Sequence, residues 1–408
     1  MTLLSRGALT RRIRLGLIVG SLTALAPLSI DLYLPALPEL TRDFGVSASE
    51  AQLTLTACLA GLALGQMVAG PLSDRFGRRP PLLVGLAVYC AASFACAIAP
   101  SLEVLVALRL VQGLAGAAGI VITRAIVRDL RSGAAAARVF SYLMLVTGMA
   151  PILAPILGAQ LLRVTTWNGL FVTLAIVGFA LLLATAAGLD ETLPASRRRR
   201  GSVHETLVTS LGLLRDRVFL GYVLILGFAF GELFGYIAGS PFVVQDLYGV
   251  SAQKYGGIFA LNALGLVVFG QINAALVGRV APTRLLAFGV AVSAAAGLGL
   301  LAVVLGGIGL VGILPCLFAI VASLGFVAPN ATALALTDYP HVAGSASALL
   351  GVVQFLIGAA IAPLAGVAGS ESAVPMAVVI AALAVGSVGA LGLSLRASPD
   401  RQLAPAGS

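Results

Sequence analysis

The sequence predicts an all-α polytopic membrane protein, with twelve transmembrane helices in two pseudo-symmetric six-helix bundles. Three observations predict it. Of the 408 residues, 59% are hydrophobic and only 10% are charged, with a mean hydropathy of +1.05, whereas a soluble domain carries about 25% charged residues. Apolar runs long enough to cross a bilayer, about 20 residues each, recur along the whole chain, rich in the Gly and Ala that let helices approach closely in lipid. A long polar segment then divides those runs into six and six.

Charges and turn residues bound the runs near 15–36, 50–71, 81–99, 102–123, 138–162, 168–188, 218–240, 252–276, 283–304, 308–331, 343–368 and 373–395. The net charge of +9 would point to nucleic acid in a soluble protein. With the amino terminus in the cytoplasm, however, all but four of the 25 Lys and Arg fall on cytoplasmic segments; the exceptions are Arg42, Arg109, Arg163 and Lys254. That is the positive-inside bias, and it predicts both termini in the cytoplasm and no nucleic-acid partner. Cys58, Cys90, Cys96 and Cys316 all lie in apolar runs without metal spacing and read as small packing residues.

The first run resembles a signal peptide in its basic start and its "ALA" at 24–26, but Pro27 disfavours cleavage and the apolar run continues, so it is read as a helix. It ends in "LSIDLYLPALPEL". A charge at the centre of a membrane helix costs about 2.5–3.5 kcal/mol on insertion scales, so Asp31 needs a use. Gly20, Thr23, Ala24, Pro27 and Asp31 follow helical spacing and form a narrow stripe of small residues able to line a cavity, and Pro35 and Pro38 are expected to end the helix. After the second run, "GPLSDRFGRRP" places Asp74 among Arg75, Arg78 and Arg79, with Gly and Pro expected to break the helix into a tight turn. It reads either as a basic topogenic loop or as a charge latch.

The fourth run holds Arg109 in apolar surroundings, with Gln112, Gly113, Gly116 and Thr123 on its face. An Arg at that depth faces a polar cavity or a partner, or is satisfied by backbone carbonyls. In the fifth run Gly148, Pro151, Pro155 and Gly158 share a face, favouring a kink and close approach by another helix. Residues 189–217 form the linker, whose "RRRR" at 197–200 reads as a solvated topology determinant or a lipid-binding patch. The domains are therefore 1–188 and 218–396, with a tail at 397–408. A shift of 204 residues lays Gly61, Leu62, Arg75 and Leu82 over Gly265, Leu266, Arg279 and Leu286, a weak repeat of the kind found in transporters built from duplicated halves. The seventh run carries Glu232, expected as a second cavity acid or as a side chain reaching the outer interface. Gln66, Asn262, Gln271, Asn273 and Gln354 are either substrate contacts or interhelical hydrogen-bonding groups. His341 lies in the turn before the eleventh run and is a weak candidate for a proton relay.

These motifs resemble the major facilitator superfamily. Gly70, Leu72, Ser73, Asp74, Arg75, Gly77, Arg78 and Arg79 are similar to its signature loop between helices two and three, which implies a latch with Asp74 near the start of helix eleven, around Ala343 and Gly344. Arg109, Gln112 and Gly113 resemble its fourth-helix motif, which implies a proton-coupling role for the Arg. Gly148, Pro151, Pro155 and Gly158 resemble its antiporter motif in helix five, with Ala154 and Ala159 in place of two glycines. "DLYLPALPEL", "DYPHVAGSASALL" at 338–350 and "AGSPFVV" at 238–244 resemble the Bcr/CflA drug-resistance branch, and the likeness runs from about residue 10 to 395. What this implies is proton-coupled efflux of small, largely hydrophobic drugs by a monomer in the bilayer. Asp31 and Arg109 would be the coupling residues, and Asp31, Tyr33, Gln112, Glu232, Asn262 and Gln354 the substrate contacts.

A symporter importing a small metabolite would share the fold. No nucleotide motif is present, so the proton gradient is the expected energy source, with no cofactor and no metal. A sensor would need a signalling domain longer than the tail, and an intramembrane enzyme would need a nucleophile with a base, or clustered ligands, that two histidines do not supply.

Overall fold

The computed structural model describes residues 3–131, 133–198, 212–337, 339, 343–367 and 371–396. Arg199 and Arg200 of the "RRRR", residues 199–211 of the linker, the tail, His341 and the start of "DYPHVAGSASALL" lie outside the described residues. The chain is helical, as the apolar periodicity requires, and no strand is found among the described residues.

The long helices are α1 (Leu3–Asp31), α2 (Ala48–Phe76), α3 (Arg79–Ala97), α4 (Leu102–Leu130), α5 (Gly133–Leu161) and α6 (Trp167–Gly188). They continue as α7 (Arg217–Pro241), α8 (Ala252–Leu276), α9 (Pro282–Leu305), α10 (Leu310–Thr337), α11 (Ala343–Ala365) and α12 (Val374–Arg396). Eleven of the described helical stretches are long and apolar enough to cross a membrane, and α5 adds a shorter apolar stretch, Leu145–Leu161. Local chemistry sets the ends. Ser47 and Glu50 form a capping box at the start of α2. Ser101 caps α4 and Asp216 caps α7 through its bonds to Val218 and Phe219.

Two expected breaks fall elsewhere. Helix α1 stops at Asp31, and Pro35 and Pro38 do not end it: each sits in the first turn of the next short helix, Leu34–Ala36 and Leu37–Phe44. Proline is pre-organised for that position and its missing N–H is not needed there. Likewise Gly70 and Pro71 do not break α2, which runs through them to Phe76. The turn is made by Gly77 alone, at φ 94°, and Pro80 opens α3.

The chain forms two compact units, Met1–Val203 with Ser251–Ala260, and His204–Val250 with Leu261–Ser408. In the first, α2 and α4 meet backbone to backbone. A Cβ on Gly61 would lie 2.2 Å from the Leu110 carbonyl oxygen, and one on Gly113 would lie 2.1 Å from that of Cys58. Trp167 donates to Asp43 at 2.8 Å and stacks on Phe44, fixing the short helix Leu37–Phe44 to α6. In the second unit the core is built on α7, where Phe219, Val223 and Leu226 pack with Val290, Leu324 and Leu350. Large apolar side chains such as Val84, Ile176, Leu183 and Val311 are exposed while Arg109, Gln112 and Glu232 are buried. This inside-out polarity is that of a protein whose solvent is lipid.

Candidate functional site

The first unit contains a polar network in its apolar interior. Arg109 on α4 is 0% exposed. Its Nη1 donates to the Ser29 carbonyl at 3.1 Å and to Gln112 Oε1 at 2.5 Å, and its Nε donates to the Thr54 carbonyl at 3.4 Å. The guanidinium lies over the Tyr33 ring at 4.4 Å and near Phe171 at 5.5 Å, a desolvated arrangement in which cation–π attraction is strong. Gln112 donates on to Ser93 Oγ at 2.7 Å, Tyr33 Oη bonds Thr54 Oγ1 at 3.0 Å, and Ser29 Oγ bonds Tyr89 Oη at 2.6 Å. One arginine thus ties together α1, α2, α3, α4 and α6. Its Nη2 is buried without a hydrogen-bond partner.

Asp31 lies at the last position of α1, two residues on from Ser29 and two before Tyr33. It is 4% exposed. Among the described residues it has neither a hydrogen-bond partner nor a counter-charge. Arg109 is therefore not its ion-pair partner in this conformation: the guanidinium is held by backbone carbonyls, as the structural alternative for it anticipated. Immediately beyond Asp31, α5 touches α1. A Cβ on Gly158 would lie 1.9 Å from the Leu32 carbonyl oxygen, so the glycine of the helix-five motif is what lets the two backbones meet. Pro151 and Pro155 lie within that helix, and Gly148 is half-buried on it.

The six expected substrate contacts are divided between the two units. Tyr33 and Gln112 are buried in the Arg109 network. In the second unit Asn262 donates to Tyr236 Oη at 2.9 Å, an interhelical bond between α8 and α7. Glu232 is found in neither of its expected places: it is 1% exposed and enclosed by α7, α9 and α12, bonded by Ser293 Oγ and, at 3.5 Å, by Ser387 Oγ. Helical geometry explains this, because Glu232 follows Gly231, whose face packs on Ile357 and Leu383, and turns about 100° away from it. Gln354 on α11 is half-buried. Asn273 and Asn330 bond each other at 2.6 Å, the interhelical use expected of such residues.

At the other end of the first unit lies the loop of Asp74, Arg75, Gly77, Arg78 and Arg79. Arg78 Nη1 donates to Asp74 at 2.5 Å and to Ser73 Oγ at 2.8 Å, and its Nε donates to Asp129 on α4 at 2.8 Å. Glu191, just past α6, accepts from the backbone N–H groups of Arg78 at 2.8 Å and Arg79 at 3.1 Å, and so caps α3. Burial pushes the Glu191 carboxyl up, but the N–H groups of Leu193, Arg78, Arg79 and Thr192 together hold it below the usual glutamate range. Gly77 is required twice over, by its φ of 94° and because a Cβ there would lie 2.4 Å from Glu191 Oε2. Arg79 Nη2 reaches the Ala186 carbonyl at 2.6 Å, while Arg75 is exposed over Phe76. The position expected to meet Asp74, near Ala343 and Gly344, lies outside the residues whose side chains are described. Asp129 and Glu191 were not singled out from the sequence, although an acid closing the basic run "RAIVRDL" and another opening the linker were visible signals.

The comparisons agree with this architecture. The family model described as Major Facilitator Superfamily matches residues 19–363. "Uncharacterized MFS-type transporter YdgK" of Bacillus subtilis (strain 168) is 40% identical over 94% of this chain and 96% of its own length. The "Bicyclomycin resistance protein homolog" of Haemophilus influenzae is 31% identical over 91% and 94%. "Multidrug resistance protein MdtL" of Escherichia coli O139:H28 is 32% identical over 60% and 61%. Among solved structures, the xylose transporter XylE from E. coli superposes with a TM-score of 0.71 at 14% identity, covering 96% of this chain and 99% of that one, a likeness of fold alone. A family match over most of the sequence and a relative of 40% identity along nearly its full length establish that this chain belongs to the Major Facilitator Superfamily of membrane transporters.

Proposed function

We propose that this transporter expels small, largely hydrophobic drugs across the bacterial inner membrane in exchange for protons, as a member of the Bcr/CflA branch, with Asp31 as the proton-carrying group. The observation that carries the reading is that Asp31 is buried without a hydrogen-bond partner or a counter-charge among the described residues. A carboxyl in that position is stable when neutral, and when ionised it calls for a cation or for water. Protonation from outside removes the charge and releases the drug. Loss of the proton toward the cytoplasm restores a charge that pairs with a substrate amine or with the unpartnered Nη2 of Arg109. Exchange by alternating access then links the drug to the proton gradient, each proton contributing about 2.3 kcal/mol per 100 mV of potential. Two relatives carrying resistance names support a drug as the cargo.

The test is drug flux in inverted membrane vesicles with an imposed proton gradient. Wild type is expected to accumulate a drug, and Asp31→Asn to lose gradient-driven accumulation while keeping passive exchange. Full gradient-driven uptake by Asp31→Asn would remove Asp31 from the coupling step. Energised movement in the opposite direction would replace export with import.

A further inference from the structure

The export reading above leaves one buried ionisable group unused. We propose that Glu232, enclosed by Ser293 and Ser387, is a second proton-binding site of the transporter, carrying a proton in this conformation and releasing it when α7 shifts against α9 and α12. Three observations carry this.

The first is the chemistry of the enclosure. Glu232 receives hydroxyls from two other helices, Ser293 on α9 and Ser387 on α12, and is 1% exposed. Serine is both donor and acceptor, so the same pair accommodates a carboxylic acid as well as a carboxylate. Both protonation states can therefore be hydrogen-bonded in this enclosure.

The second is the lack of a counter-charge. On the helices that pack on α7 or bond to it, the ionisable side chains are Arg284 of α9, Cys316 of α10 and Arg396 of α12; α11 and residues 261–276 of α8 carry none, and the adjoining turn Phe242–Leu247 adds only the acid Asp246. On α7 itself they are Arg217, Tyr222 and Tyr236. Arg284 lies nine residues from Ser293, Arg396 nine from Ser387 and Arg217 fifteen from Glu232, which at 1.5 Å per residue puts each cation about 13 Å or more along its helix. Tyr236, one turn from Glu232, is bonded to Asn262. Ionised, Glu232 would be an uncompensated charge in apolar surroundings, so with no cation at hand it holds a proton.

The third is that the helix bearing it is built to move. Gly227, Gly231, Gly235 and Gly239 recur every fourth residue, and their bare face seats Ile357 and Ile361 of α11 and Met376, Ile380 and Leu383 of α12. Those side chains lie close against the α7 backbone, and no side chain of α7 on this face projects between them to block a slide along it. Beyond Pro241 the helix widens into a π-helical turn, Phe242–Leu247, a feature that recurs at functional sites. Sliding or bending of α7 would part Glu232 from one serine or both and admit water.

The test uses the full-length protein in liposomes, read in two ways. In pH-difference infrared spectra of the carboxylic-acid stretch, wild type is expected to show two titrating carboxyl groups in the membrane domain. Glu232→Gln should lose one and keep the one that Asp31→Asn removes, and Ser293→Ala should shift the Glu232 band in frequency. Glu232→Asp, which keeps the acid, should retain a titrating band and reports that loss in Glu232→Gln is not misfolding. In the flux assay, the drug gradient that just balances a tenfold proton gradient at zero potential should fall about tenfold from wild type to Glu232→Gln, since one proton fewer is exchanged per drug.

An unchanged balance point, or a Glu232 band that stays protonated at every pH and in the presence of drug, would reduce the cluster to a fixed hydrogen bond and overturn the proposal. Disappearance of the protonated band on adding sodium chloride in place of choline chloride at constant pH would also overturn it, in favour of a sodium site. If no variant moves drug against a proton gradient, the export reading fails, and the infrared result alone decides Glu232.

Discussion

Asp31 and Arg109 illustrate what single residues disclose. Both were conspicuous in the sequence because ionisable groups in apolar runs need a reason, and both are buried in the first unit. Their partners were not legible. Ser29, Thr54, Ser93 and Tyr89 are ordinary residues on three different helices, and only packing brings Ser93 to Gln112 and the Ser29 carbonyl to Arg109. Glu232 was legible as an anomaly and misplaced as to its surroundings, because one residue of rotation on a helix decides which neighbour it meets. Gly158 gives a sharp test at this scale. Gly158→Ala puts a Cβ 1.9 Å from the Leu32 carbonyl oxygen, next to Asp31. We expect it to lower stability by about 1–3 kcal/mol, the usual cost of overpacking, and to depress transport, whereas Gly389→Ala, which meets nothing within 4 Å, should be neutral or gain up to about 1 kcal/mol. Thermal midpoints in detergent would read both.

At the scale of elements, the spans are located by length and hydropathy, but their ends are not: α1 starts at Leu3 and not near 15, and α4 runs on to Leu130 past the expected 123, because helices continue beyond the apolar run into charged turns. Turns are less legible: Pro35, Pro38 and Pro71 have the composition of terminators, yet the first two start helices and the third is tolerated within one. The loop after α2 was recognised by its charges, but its attachment to Asp129 and Glu191 depends on where α4 and α6 end. Because Glu191 has its carboxyl held below the ordinary value of 4.5, its contribution is present above that pH and is lost as pH falls through the lowered folded-state value. Wild type should therefore lose stability on acidification in that range. Glu191→Gln should be less stable at neutral pH and flatter with acid, as followed by melting temperature against pH.

For the molecule as a whole, composition was decisive. A chain with exposed Val84, Ile176 and Leu183 and a buried Arg109 is folded for lipid, and its twelve helices are those of a Major Facilitator Superfamily transporter. Cargo and coupling are not written in hydropathy, since the same fold serves many transporters; we assign them to a few buried polar side chains, Asp31 first among them. In the proposed cycle drug and proton exchange at Asp31. The most direct measurement of this exchange is proton release from the purified transporter into weakly buffered solution on adding drug, compared between wild type and Asp31→Asn. The account predicts release from wild type that falls in the variant by the share Asp31 carries; undiminished release from Asp31→Asn, with drug still bound, would contradict it.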